Sequence, residues 1–209
     1  MKERLLSQVV TERRSTPSFG PDPVAEADLD TIIEAGLNAP SGYNTQPWRF
    51  VVVKDLEQKK RLRAAAMNQK RVEEAPVVIV ACGDAHDLKG TVLDDMLALA
   101  NEHGYGDERQ HEVVRRNFPK FLEGLEIAVW LNRQVMIAFT QMMLMAEVLG
   151  YDTAPLEGFH EDRVKEVLGA PEGARVVALL CIGRLKGPDK PFGGRFSRNK
   201  TVFSEKWRG

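Results

Sequence analysis

The stretch from 126 to 149 constrains this chain most, because it is the longest helical pattern in the 209 residues and is apolar on most faces. Its most apolar part, residues 135–150, reads VMIAFTQMMLMAEVLG. A bilayer span needs about 20 apolar residues, and Gln141 and Glu147 interrupt this run. A helix of this kind belongs at the centre of a core. Three runs read as strands: WRFVVVK at 48–54, PVVIVAC at 76–82 and ARVVALLCIGR at 174–184.

The remaining segments fill in around these. Leu5, Leu6, Val9 and Val10 recur at helical spacing, so residues near 3 to 12 read as a helix. RRSTPSFGPDPV follows as a loop, with Pro17, Pro21 and Pro23 excluding regular structure. Leu29, Ile32, Ile33 and Leu37 mark a second amphipathic helix, ended by Asn38, Ala39 and Pro40. Asp55 can cap a charged helix, LEQKKRLRAAA, and a short polar piece, NQKRVEEA, leads to the second strand. Residues 86–124 look helical but poorly periodic; GYGDERQ interrupts them, and Pro119 is expected to break them again. YDTAPLEGF is extended, and HEDRVKEVLG is a short helix. The tail from 187 is basic and rich in Pro and Gly, yet it carries Phe192, Phe196, Val202, Phe203 and Trp207. A free tail does not usually hold so many apolar residues, so it is expected to dock on a surface.

No repeat or linker divides the chain, and one domain over 1–209 is expected. A net charge of -1 argues against a nucleic-acid binder, which shows a basic excess. Cys82 and Cys181 sit alone in apolar runs and form no CxxC pair, which points to a reducing, cytoplasmic setting. The start, MKERLLSQVVTERR, has no apolar signal region, so no secretory leader is expected, and no membrane partner.

Two patterns suggest a ligand. Arg13, Arg14 and Ser15 stand where the first helix ends, and guanidinium forks with a hydroxyl suit phosphate oxygens. Taken alone, the same residues also fit a solvated helix C-terminus, where Arg is favoured. The second pattern, PSGYNTQPW at 40–48, packs amides and hydroxyls between two prolines just before a buried strand. A rigid loop of this kind can present donors and acceptors to a flat polar ring system.

Arg-Arg-Ser, followed about 25 residues later by APSGYNTQPWRFVVV, resembles the nitroreductase family of FMN enzymes. The helix ending in MMLMAEVLGY resembles that family's central helix, and the following APLEGF its flavin-facing loop. The resemblance spans nearly the whole chain. It implies an α+β fold with a central mixed or antiparallel sheet, flanked by helices, with the long helix in the core and dimerisation completing the subunit. It implies a homodimer with tightly bound FMN, fed by NADH or NADPH as a transient donor. Hydride would pass to flavin N5 and on to a nitroaromatic, a quinone or a similar small acceptor in a ping-pong cycle. Reductive dehalogenation on the same fold, or a flavin carrier or sensor without steady turnover, stay open as alternatives.

By the same resemblance, Arg13, Arg14 and Ser15 match positions that hold the FMN phosphate and ribityl end. Pro40, Ser41, Gly42 and Asn44 match a loop reaching the flavin of the other subunit. Asn68 and Arg71 look like the pair at the pyrimidine edge. Pro155, Leu156, Glu157 and Gly158 match the loop whose backbone N–H groups meet flavin N5 and O4. Arg195 or Arg198, together with Lys190, would add a phosphate contact from the tail. No side chain is assigned a catalytic proton transfer, since the flavin performs the chemistry.

One departure matters. The family often carries Lys or Arg two residues after the serine, near flavin N1 and O2, and this chain has Pro17 there. A cation at that edge stabilises the charge that reduction places on it, so the task would fall to Arg71. Other constellations fail. His86, His103, His111 and His160 are scattered without metal-ligand spacing. Gly104-Tyr105-Gly106 lacks the third glycine and the preceding strand of a dinucleotide fingerprint.

Overall fold

The structure is a computed structural model that describes residues 4–85, 88 and 92–207. Its centre is the pair β2 (Val77–Asp84) and β4 (Ala174–Gly183), flanked by β1 (Trp48–Val53) and β3 (Asp152–Leu156). The sheet order is β1-β2-β4-β3, and every pairing is antiparallel. The two central strands are near-continuous aliphatic runs because both of their faces are covered. Val77, Ile79 and Ala81 enter one core, and Val78, Val80 and Cys82 enter the other.

On the first face lie α2 (Glu26–Leu37) and the long helix α7 (Ile127–Val148). They approach closely because Gly36 has no side chain: a Cβ there would stand 2.7 Å from Met142 Cγ. On the second face lie α3 (Leu56–Ala65), α4 (Lys70–Glu74) and α8 (Glu161–Leu168). Asp55 caps α3, its carboxylate accepting from Gln58 N at 2.8 Å. A smaller third core joins Phe118, Trp130 and Leu131 where α6 (Glu108–Glu123) meets the start of α7. Short α1 (Leu6–Glu12), α5 (Val92–Glu102) and the four-residue α9 (Arg198–Thr201) complete the α-helices described, and Gly42–Asn44 form one 3-10 turn. Between Ala81 and Cys82 the register with β4 shifts, so Val177 and Ala178 both turn to the α7 side.

The α+β expectation holds, with the sheet antiparallel throughout. One local reading is corrected, and two are made more definite. Pro119 does not break a helix but lies inside α6. It removes one backbone donor, and packing outweighs that loss: Phe118 is buried, and Phe121 packs against the same cluster. The interruption expected at GYGDERQ is there: among the described residues it separates α5 from α6, with Gly104 and Gly106 at positive φ. Asp107 then caps α6 in a reciprocal pair with Gln110. Within the polar piece NQKRVEEA, Lys70–Glu74 form α4, whose Val72 is fully buried. His86 lies outside the described residues.

The extended segment after α7 becomes the edge strand β3, where Pro155 is tolerated because an edge strand can spare an N–H. Its outer side receives the segment after α1: Ser15 bridges Thr153, and Thr16 N donates to Thr153 O at 2.9 Å. Phe19 bridges Leu185 just beyond β4. At the end of β4, a Cβ on Gly183 would lie 2.6 Å from Pro76 Cδ and 3.0 Å from Phe19 Cδ1. A rigid ring cannot yield as a flexible chain end can, so Gly183→Ala should destabilise the protein by about 1–3 kcal/mol. A urea unfolding curve checks this; an unchanged midpoint would show that both Pro76 and Phe19 give way freely.

Candidate functional site

Three of the segments singled out from sequence converge on β3. Residues 13–15 reach it through the Ser15–Thr153 bridge. Pro155 and Leu156 are in the strand, with Glu157 and Gly158 directly after it. The turn at 67–71 meets the end of that loop, where Gln69 Nε2 donates to Gly158 O at 2.8 Å. Gln69 also accepts from Arg71 Nη2 at 3.0 Å, so one amide joins Arg71 to the β3 loop. Ser18 Oγ donates to Glu74 Oε2 at 3.0 Å, which brings the segment holding Pro17 against α4, the helix that carries Arg71.

The two arginines differ. Arg14 Nη1 donates to the carbonyls of Thr11, Glu12 and Arg13 at 3.1, 2.7 and 2.9 Å, closing the C-terminus of α1. Arg13 Nη1 is buried and has no hydrogen-bond partner in the protein. A buried guanidinium nitrogen left unpaired is costly, and an anionic oxygen is the group that would satisfy it. In the tail, Phe192 lies 4.4 Å from the Arg14 guanidinium and 5.5 Å from that of Arg195. Arg14 and Arg195 thus share one aromatic ring, whereas Arg198 opens the exposed α9. The tail otherwise lies open, with Phe196 78% and Trp207 84% exposed, so it finds no full docking surface on its own chain.

The loop at 40–44 stands elsewhere. It precedes β1, at the opposite edge of the sheet from β3. Gly42 N donates to the buried Gln134 Oε1 of α7 at 2.8 Å, and Ser41 Oγ accepts from Gln46 N at 3.0 Å. Tyr43 packs on Phe118 and Phe121, both ring centroids at 5.2 Å. Backbone strain gathers at these places. Of the described non-glycine residues with positive φ, Tyr43, Asn44 and Gln46 fall in this loop, and Met67 and Asn68 fall in the 67–71 turn. Left-handed backbone at a non-glycine residue persists where the surroundings over-determine it.

Two hollows accompany the loops. One of about 330 Å³ lies beside Pro155 and Glu157, walled by Met136, Phe139 and Met143 of α7. The larger, about 1150 Å³, opens between the 40–44 loop and helices α5 and α6, with Tyr43, Met96, Arg109 and His111 in its wall. Among the described residues no group of three or more His, Cys, Asp or Glu is placed to hold a metal. No helix among them is long and apolar enough to cross a membrane.

Sequence reading missed the residues that support the loops. Gln69, Gln134 and Glu147 are the polar anchors, and Phe192 is the tail's contact with Arg14. The signal available was the polar interruption of an otherwise apolar helix: Gln134 and Glu147 are buried on α7.

Comparison with known proteins agrees with this arrangement. Residues 10–184 match the nitroreductase family. An NADH dehydrogenase of Thermus thermophilus is 38% identical over 172 residues, which cover 82% of this chain and 82% of that protein. A nitroreductase-like protein of Streptococcus mutans is 29% identical and superposes with a TM-score of 0.81 over 93% of this chain and 94% of its own. A nitroreductase-type structure from Exiguobacterium sibiricum in complex with FMN is 27% identical, with a TM-score of 0.82 over 98% of this chain and 99% of that one. A family match that runs from the end of α1 past β4, and so takes in the sheet, the long helix and both loops, makes this chain a member of the nitroreductase family.

Proposed function

We propose that the protein is an FMN-dependent oxidoreductase that takes electrons from NADH or NADPH and works as a homodimer. The acceptor is a nitroaromatic, a quinone or a related small molecule. The observation that carries the reading is the buried, unpartnered Arg13 Nη1 on the sheet edge where the β3 loop and the 67–71 turn also meet. The donor set fits a flavin mononucleotide. Arg13, Ser15 and, from the tail, Arg195 suit the phosphate; Asn68 and Arg71 suit the pyrimidine edge; the backbone of residues 156–158 suits the N5 side. Bound there, FMN supplies the two-electron chemistry at its N5.

The chain's own residues bind, orient and shield. The 40–44 loop lies at the far edge of the sheet from β3, so within one chain it does not complete this site; a second copy supplies it. The larger hollow behind that loop then opens toward the partner's flavin and gives the acceptor its space. The exposed tail and its aromatic side chains are surface for the same partner. Two buried, unpaired cysteines suit a cytoplasmic protein. Burial pushes the Cys82 thiol up to about 11 and that of Cys181 to about 12, so neither is a nucleophile at neutral pH.

The purified protein should be yellow. Heat should release FMN rather than FAD, and anaerobic NADH or NADPH should bleach the flavin absorption. A colourless protein that also fails to take up FMN would refute this function. A second expectation concerns Arg71, which Gln69 holds beside the β3 loop. Pro17 offers no charge, so Arg71→Ala should leave the fold intact and make the flavin harder to reduce. Losing a charge-assisted contact costs about 1.5–3 kcal/mol, which for a two-electron couple is a downward shift of roughly 30–60 mV. Potentiometric titration of both FMN-saturated proteins measures it. An unchanged potential would mean that another group balances that edge.

A further inference from the structure

Glu147 is a carboxylic acid with 2% of its surface exposed, in the last turn of α7. Its Oε1 accepts from Thr153 N at 3.0 Å and from Thr153 Oγ1 at 2.7 Å. Its Oε2 faces Arg4 Nη1 at 3.3 Å, and Arg4 has a second partner in Glu12 at 2.9 Å. Thr153 is the residue that Ser15 bridges on the other side. One carboxyl therefore stands behind both β3 and the segment that carries Arg13. The charged groups that act on it are Arg4 from the segment before α1, Arg13 from the turn after α1, and Asp152 on β3. Burial raises its pKa to about 7; the Thr153 hydrogen bond, Arg13 and Arg4 pull against this, and Asp152 adds to it.

We propose that Glu147 is a positioning residue for the phosphate end of the site: it lends Arg13 a balancing charge while that end is open, and takes a proton from solvent when a phosphate dianion reaches Arg13. This rests on the reading of Arg13 as a phosphate ligand. An arriving dianion competes for the Arg13 charge and repels the carboxylate, and both effects favour the neutral acid. Thr153 keeps its acceptor, because both of its donors go to Oε1 and the proton can take Oε2. Arg4 stays paired with Glu12. The sign follows: an acid whose proton affinity rises on binding makes binding tighter as pH falls, here through the region around 7. Riboflavin, which lacks the phosphate, should not show the effect.

Titration calorimetry on the full-length, flavin-free protein tests this, in two buffers of different ionisation enthalpy at about pH 7.5. A phosphate monoester with its second pKa near 6 is then almost entirely dianionic and contributes little of its own. FMN binding should take up roughly half a proton per site, riboflavin close to none, and Glu147→Gln should abolish the FMN uptake. Equal proton counts for FMN and riboflavin, or for the parent and Glu147→Gln, would overturn the proposal. The comparison of the two flavins uses the unaltered protein, so it stands even if the variant folds poorly. Failure to bind either flavin would overturn the proposal together with the functional reading it rests on, whereas FMN binding without proton uptake would overturn the proposal alone.

Discussion

Neighbouring strands of a sheet lie about 4.8 Å apart, so the two edges of a four-stranded sheet are separated by roughly 14 Å. That spacing governs the site. The β3 edge gathers the turn after α1 with its unpartnered Arg13 Nη1, the strand's own terminal loop and the 67–71 turn. The β1 edge holds the 40–44 loop, which carries the segment most like a known family motif. Under the proposed function the two edges serve one ligand, and a second copy is what joins them.

Helix α7 sets where the two halves stand. Gln134, near its start, holds the 40–44 loop through Gly42, and Glu147, near its end, holds β3 through Thr153. The two are thirteen residues apart, about 20 Å along the helix. Both are buried polar side chains, and both are hydrogen-bonded, as burial demands. The same helix thus fills the core of one subunit and fixes the position of loops that face outward. The strained backbone at 43–46 and 67–68 fits this division, because left-handed conformations at Tyr43 and Met67 survive only on a scaffold that holds them.

The fold was largely legible in the sequence. Long aliphatic runs without alternation announced β2 and β4, and a helix apolar on most faces announced the core. The misreadings came where local rules met tertiary packing. Pro119 is a helix breaker by propensity, yet Phe118 and Phe121 are anchored on either side of it. Lys70–Glu74 read only as part of a polar piece because Val72 alone among them is buried. The segments that converge on β3 were legible through motif resemblance. Their supports were not, because Gln69, Gln134 and Glu147 act through partners 89, 92 and 6 residues away. Spacing along a chain carries no trace of such pairs. The contact between Phe192 and Arg14 was likewise closed to sequence.

Subunit complementation tests the shared site most directly. One protein would carry Arg13→Ala, damaging the phosphate end, and a second would carry Asn44→Ala, damaging the loop. Each alone should bind FMN weakly. Unfolded together and refolded, they should form mixed dimers in which one site pairs the intact phosphate end of one subunit with the intact loop of the other. Flavin content and NAD(P)H oxidation should then recover to one working site per mixed dimer. If mixing restores nothing although mixed dimers form, both halves belong to a single chain and the shared-site account is wrong.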